Sequence, residues 1–330
     1  MNPVACPLCN KPAREIERSY PGYKLPATFA IMECDDCRLQ FALPLESDSA
    51  VYEAIYRRPA LVPGYDRYYD YARSAKRSPN PLDYLAESME PYWAVRKAIA
   101  GLPSGAKMLD IGSGLGYVAY ALRRAGYDAV GLDISENAVA AARARFGDQY
   151  VVADLFAWSS DHPNTYDAVT LLEVIEHVEN PIDWVRAAFR LVRPGGMLII
   201  STPNRDYYPD GSVWATEAPP VHLWWFSEHS FARLTDGIGA QIEVVDFSAC
   251  DFAPAQPYSD RPVASFRTPM LNEEGRPSSR LRRAAAALGV LPVAKAVWTL
   301  FHGPKNDGRA HPNPAVRETL AVILRKPISG

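Results

Sequence analysis

The chain lacks a dominant charge. Its 330 residues carry 35 Lys and Arg against 38 Asp and Glu, a net charge of −3 at pH 7. Proteins that track nucleic acid usually show a strong basic excess, so this balance argues against that class. There is no apolar run of about 18 residues, and hence no expected transmembrane helix. The opening MNPVACPLCNK has no apolar core of the kind a secretory signal needs, so the expected location is the cytoplasm. Cysteine is sparse at 5 residues, while Pro at 29 and Trp at 7 are plentiful and point to long ordered loops with aromatic surfaces. The length suits one large domain with a smaller companion.

Four of the five cysteines fall in two pairs, Cys6-x-x-Cys9 and Cys34-x-x-Cys37, with 24 residues between Cys9 and Cys34. Each such turn presents two thiolates to one metal. Two turns complete the tetrahedral set that Zn²⁺ prefers in closed structural sites. The separation slightly exceeds the roughly 15–20 residues of the common pattern, and the intervening segment has room for a short hairpin. Redox pairs are a weaker reading, because two units so close together fit one metal better than two redox centres. Cys6, Cys9, Cys34 and Cys37 are therefore expected to hold a structural Zn²⁺, since four thiolates leave no open position for catalysis. Cys250 stands alone and is expected to pack at the end of a strand.

The most informative stretch is KMLDIGSGLGYVAYAL (107–122). An apolar run carrying Asp110 breaks into Gly112, Gly114 and Gly116, and a helix-like pattern follows. This reads as a strand, a tight turn and a helix N-terminus, whose free N–H groups attract anionic or polar ligand groups. VGLDIS (130–135) is a second strand ending in Asp133, 17 residues past Gly116. An acid about 20 residues after a glycine turn is placed to accept hydrogen bonds from ribose hydroxyls.

The pattern is GxGxG rather than the GxGxxG of dinucleotide folds. With Asp110 just upstream it resembles the class I S-adenosylmethionine (SAM) methyltransferases. The resemblance continues through VVADL (151–155), YDAVTLLEVIEHVENP (166–181) and LVRPGGMLIISTPN (191–204), and covers about residues 95–250 in the family's order. It implies an α/β fold, a Rossmann-like seven-stranded and mostly parallel sheet with helices on both faces. It also implies that Asp110, Gly112, Gly114, Gly116, Asp133, Ile134, Asp154, Leu155 and Glu173 surround SAM, with Asp133 on the ribose and Asp154 near the adenine.

Along the chain, residues 1–45 read as a zinc-binding ribbon and 46–95 as a tyrosine-rich helical linker lying over the cofactor site. Residues 96–330 read as the methyltransferase domain. Alternating strands and helices over 96–205 should build a parallel sheet through right-handed crossovers. QIEVVDFS (241–248) and ETLAVILRK (318–326) read as the last two strands. In the family these pair through a short turn; here an insert at about 250–315 intervenes. Its helical stretch 278–301 is expected to be a lid or a dimer contact, with peripheral membrane contact as the third reading.

Methyl transfer from SAM is an in-line displacement, so the enzyme's main task is to align nucleophile, carbon and sulfur. A protonated nucleophile also needs a base near neutral pKa. EVIEH (173–177) is expected to straddle the end of the fourth strand and the next helix, near the methionine part of SAM. A turn there lets Glu173, Glu176 and His177 converge. His222 lies on the loop after the fifth strand, 205–230. It is expected to face the methyl group, as base or orienting group, among Trp214, Trp224, Trp225 and Phe226. His177 is the second catalytic candidate. Similar Glu-x-x-Glu-His segments with a later His bind Mg²⁺ in small-RNA 2′-O-methyltransferases and occur with a metal in some quinone O-methyltransferases. The resemblance therefore implies Mg²⁺ at Glu173, Glu176, His177 and His222 as one option. In many other methyltransferases the same segment needs no metal.

The implied function is methyl transfer to an O, C or N atom of a small molecule such as a sugar, a quinone or a secondary metabolite. The alternative is an RNA-interacting methyltransferase or a nucleic-acid-binding protein that uses the ribbon. The ribbon's charges are balanced, with Lys11, Arg14, Arg18, Lys24 and Arg38 against Glu15, Glu17, Glu33, Asp35 and Asp36, which favours the small molecule. The intact glycines and Asp133 argue against a non-catalytic homologue. A monomer or homodimer is expected.

Overall fold

The computed structural model describes residues 4–48, 50–52, 55, 65–210, 212–213, 218–251, 269–276 and 311–328. The N-terminal strands are β1 (Val4–Ala5), β2 (Pro12–Pro21), β3 (Thr28–Cys34) and β4 (Gln40–Leu43), paired antiparallel in sequence order. The β2–β3 hairpin is longer than the short one expected. Both cysteine turns have the same form. Cys6 N–H donates to Lys11 and Cys34 N–H to Leu39, while Asn10 and Arg38 sit in the left-handed region at φ 57 and 59°. The left-handed residue one past the second cysteine of each pair reverses the chain and lets the loop fold its two thiols to one side.

Three helices follow: α1 (Asp66–Arg77), α2 (Pro81–Ala86) and α3 (Glu90–Ile99). Proline opens α2 and α3 within the first two positions, where a missing N–H leaves no bond unmade. The alternating part then runs β5 (Lys107–Ile111), α4 (Tyr117–Arg124), β6 (Asp128–Asp133), α5 (Glu136–Phe146), β7 (Tyr150–Val152), α6 (Leu155–Asp161), β8 (Tyr166–Leu172), α7 (Pro181–Leu191) and β9 (Val192–Pro203). After it come β10 (Trp224–Trp225), α8 (Glu228–Leu234), β11 (Gln241–Val244) and β12 (Thr319–Arg325).

The central sheet has seven strands in the order β11-β12-β9-β8-β5-β6-β7. Strands β5 to β9 are parallel, whereas β12 runs antiparallel to β9 and β11 antiparallel to β12. The expected fold is the observed one. Its strands are apolar on both faces, as a sheet sandwiched by helices requires. Leu109, Ile111, Leu198 and Ile200 face one buried cluster with α7 and α8. Met108, Met197 and Ile199 face the other, with α1 to α4. The chain goes from β5 outward through β6 and β7, then returns to β8 on β5's other side. That reversal opens a crevice at the C-terminal ends of β5 and β8.

The ribbon is not a module that stops at residue 45. β10 joins β4 antiparallel, with Trp224 opposite Phe41, and makes the ribbon a five-stranded sheet. Trp224, Trp225 and Phe226 are buried there, so they are not walls of an acceptor pocket as expected. Trp214 lies outside the described residues. Buried Arg205 donates to Glu33 at 2.8 Å, and Gln40 donates to the same carboxylate at 2.6 Å. The ribbon's cysteines share one apolar cluster with β5, β8 and β9. The insert at 252–268 and 277–310, with its expected helix at 278–301, lies outside the described residues. No described helix is long and apolar enough to cross a membrane.

Candidate active site

The switch-point crevice widens into a cavity of about 1630 Å³. Ligand pockets commonly measure roughly 300–1,000 Å³, so this one has room for two small molecules together. The residues expected around SAM line it at one end: Asp110, Gly112, Gly114, Asp133, Ile134, Asp154, Leu155 and Glu173. Gly114 sits at φ +48°, and an added Cβ there would meet nothing nearer than 3.9 Å, which leaves its main chain open to a ligand. Its N–H donates to Asp133 Oδ2 at 2.8 Å, and Ser135 N–H donates to Oδ1 at 2.8 Å. Two backbone donors thus hold the carboxylate in place at the end of β6, where burial pushes its pKa up. Gly116 does not line the cavity. A Cβ there would stand 2.6 Å from the Tyr150 ring, so this glycine serves helix packing.

Two acids do structural work beside the cavity. Asp110 is fully buried and accepts from Thr170 Oγ1 at 2.7 Å; burial raises its pKa to about 7. Asp154 Oδ1 accepts from the N–H groups of Phe156 and Ala157 and so caps α6. Glu173 adopts φ 53°, a strained conformation for a residue with a side chain, and Ser201 Oγ donates to its Oε1 at 2.8 Å.

EVIEH is not the start of a helix. β8 ends at Leu172, turns follow, and α7 begins only at Pro181. The turns carry Glu176 and His177 to His222, so that donor atoms of these three residues all lie within 4.8 Å of one another. Glu173 is not part of that group. His177 Nδ1 lies 2.6 Å from the carbonyl oxygen of Val221. A carbonyl only accepts, so Nδ1 carries the proton and Nε2 keeps its lone pair, 3.9 Å from Glu176 Oε1. His222 stacks edge-on against His177 with ring centroids 4.5 Å apart. Burial and the nearby Arg67 lower the His222 pKa to about 3, so it is a neutral imidazole at physiological pH. That departs from a base tuned near neutrality. Leu223 N–H donates to Glu176 O at 2.8 Å, and Ala42 N–H of β4 donates to Leu223 O at 2.9 Å. His222 is therefore held between the β8 turn and the edge of the ribbon.

The four ribbon thiols converge as well. Cys6 and Cys37 Sγ are 3.6 Å apart, Cys9 and Cys34 Sγ 3.5 Å, and all four lie within 4.8 Å. A disulfide needs about 2.05 Å. Tetrahedral thiolates about 2.3 Å from zinc stand about 3.8 Å apart, so the spacing fits a metal. The hydrogen bond from Cys37 lowers the Cys6 pKa to about 5, while the Cys37 thiol itself is pushed up. Burial pushes the Cys9 thiol up as well.

A family model described as a methyltransferase domain matches residues 85–245. Those residues are a methyltransferase domain. Among curated relatives, the ubiquinone biosynthesis O-methyltransferase of Aliivibrio fischeri MJ11 is 36% identical over 107 residues, 31% of this chain and 46% of that protein. The protein of the same name from Pseudomonas aeruginosa UCBPP-PA14 is 38% identical over 112 residues, 32% of this chain and 48% of that protein. The chain thus spans about half the length of the curated relatives it matches. Among solved structures, a SAM-dependent methyltransferase from Archaeoglobus fulgidus is 14% identical, covering 70% of this chain and 91% of that one, at a TM-score of 0.43.

The methyltransferase domain does not build its cavity alone. Tyr23 from the ribbon, Tyr52, Tyr65, Arg67 and Tyr68 from the linker, and Met270 complete the wall beyond the three converging residues. Tyr52 Oη donates to Val221 O at 3.0 Å, the carbonyl that also orients His177. Sequence reasoning named the tyrosines only as a group and missed Arg67. Their content of aromatic rings among charges was visible, but which rings face inward depends on how α1 packs.

Proposed function

We propose that the chain is a SAM-dependent methyltransferase acting on a hydroxyl oxygen of a small molecule. The observation that carries this is the convergence of Glu176, His177 and His222 on the cavity that also holds the glycine turn and Asp133. The curated relatives are named for O-methyl transfer in ubiquinone biosynthesis, which supports an oxygen acceptor.

SAM fits the residues present: an open main chain at Gly114, a fixed carboxylate at Asp133 and a helix N-terminus at α4. When bound it supplies a methyl group on a sulfonium. Asp133 accepts from the ribose hydroxyls, and the Gly114 backbone lies against the nucleoside. Glu173, held by Ser201, faces the methionine end. The tyrosine wall excludes water and grips a planar acceptor.

Glu176, His177 and His222 fit a divalent cation, since each offers one unprotonated donor. Two imidazoles to one carboxylate suit Mn²⁺ or Zn²⁺ better than Mg²⁺, which favours oxygen ligands, and Glu173 does not join them to restore the oxygen count. A bound cation would acidify and orient an acceptor hydroxyl. The protein's part is to fix the donors: Val221 O sets the His177 tautomer, and burial keeps His222 neutral. In the ribbon, Cys6, Cys9, Cys34 and Cys37 hold a structural Zn²⁺.

Methyl transfer from SAM to a panel of catechols and simple phenols tests this, with chelated and Mn²⁺- or Zn²⁺-supplied protein. Turnover is expected with the metal and is expected to fall about 10²-fold or more in Glu176→Gln, with SAM affinity within about twofold. Equal turnover after chelation and in Glu176→Gln would remove the cation and leave the methyltransferase. Failure to bind SAM at all would remove both.

A further inference from the structure

Outside the catalytic cavity, a second concavity of about 480 Å³ opens between α1 and α5. Tyr69, Arg73, Lys76 and Arg77 approach it from α1, and Arg145 from α5. The α1 residues are spaced i, i+4, i+7 and i+8 and so share one stripe of the helix. No acidic residue lines the concavity. Arg73 is bonded to Asp70 at 3.0 Å, but Lys76, Arg77 and Arg145 have no carboxylate partner among the described residues. Lys76 Nζ instead donates to Arg145 O at 2.6 Å. The Arg145 guanidinium lies 4.8 Å above the Tyr69 ring, with its Nη1 buried and without a hydrogen-bond partner among the described residues.

The C-terminal turns of α1 and α5 favour cations, which accounts for basic residues near each end. It does not account for several of them facing one another around a single hollow, where like charges repel. We propose that this hollow binds a phosphate group, carried by a soluble phosphate ester or by an anionic phospholipid headgroup. Guanidinium forks match phosphate oxygens two at a time, and the lysine adds a point charge. The volume exceeds what a bare phosphate fills and lies in the range of small-ligand pockets, which leaves space for the group the phosphate is attached to. Tyr69, 41% exposed, offers that group a ring face. The two helices also reach the catalytic cavity. α1 sends Arg67 and Tyr68 to its wall, and α5 contributes Asn137 from its first turn and Ser135 as its N-cap, so a phosphate bridging the helices braces both walls.

The test uses the full chain at low salt. Calorimetry with glycerol phosphate reads the soluble source. Co-sedimentation with vesicles of phosphatidylcholine alone, or mixed with phosphatidylglycerol, reads the lipid source. Binding of glycerol phosphate below about 1 mM, or sedimentation with the anionic vesicles only, is expected and assigns the source. Either signal should weaken with added NaCl and fall about tenfold or more in Arg77→Gln/Arg145→Gln, while SAM affinity stays unchanged. Lys76→Gln gives the same comparison at smaller amplitude should the double variant not fold. Binding to neither probe, or equal binding by wild type and variants, overturns the proposal.

Discussion

Asp133 and Asp110 sit one strand apart, and their surroundings give them different work. Asp133 is held by two backbone N–H groups at the cavity edge. If it receives the ribose, Asp133→Ala should weaken SAM binding about tenfold or more, since a hydrogen bond to a charged group is worth about 1.5–3 kcal/mol. Calorimetry checks this, and wild-type affinity in the variant would remove the role. Asp110 is fully buried, with its pKa raised from 3.8 to about 7. The fold thus keeps a proton that the unfolded chain releases between about pH 4 and 7. Its contribution to stability falls as pH rises through that window. Ionising it in the fold costs on the order of 4 kcal/mol above pH 7. Asp110→Asn keeps an acceptor for Thr170 and removes the charge. Urea unfolding should show the variant gaining stability over wild type at pH 8 and losing most of that advantage near pH 4. An advantage independent of pH would show that ionisation is not its source. The residue types here were visible in the sequence. That Asp154 caps α6 and Gly116 packs against Tyr150 was not, because both uses depend on what neighbouring strands bring up.

β10 is two residues long, yet it decides where His222 stands. Trp224 and Trp225 pair with β4, Ser227 Oγ donates to Cys37 O at 2.9 Å, and His222 hangs just before this anchored strand. Loosening the cysteine cluster should therefore reach the catalytic cavity through β4 and β10. Cys34→Ser should lose about one zinc per chain by elemental analysis. It should also lower turnover by about tenfold or more while SAM affinity, set by β5 and β6, changes little. Loss of zinc with normal turnover would show that β10 holds without the metal. The sequence places His222 after the fifth strand, in the loop over the crevice. The adjacent tryptophans read there as pocket walls, because an aromatic run looks the same whether it faces a ligand or pairs with a distant strand.

Among the described residues, a continuous apolar cluster joins Cys6, Cys34, Cys37 and Phe41 of the ribbon to Leu109, Leu171 and Ile200 of the central sheet. Elements that share a core unfold together. Calorimetric melting of the intact chain should give a single transition for the ribbon and the sheet, and chelating the zinc proposed for the ribbon should lower the midpoint of that transition as a whole. Two separate transitions, with only the lower one sensitive to chelation, would show the ribbon to be an independent unit.

The order of strands, the glycine turn, the acid after β6 and the paired cysteines were all determined locally. Each depends on spacing within one or two elements: short continuous apolar runs for strands, left-handed turn residues for the glycine loop, two thiols per short turn for a metal. The sequence by itself therefore determined the parallel sheet and both halves of the candidate chemistry. It did not determine which of Glu173, Glu176, His177 and His222 meet. Three of these four come together because turns replace a helix after β8 and because β4 captures β10, which sets Trp225 opposite Gln40, 185 residues away in the chain (225 − 40). Such pairing is a contact between segments far apart in the chain, and only the closed tertiary structure supplies it.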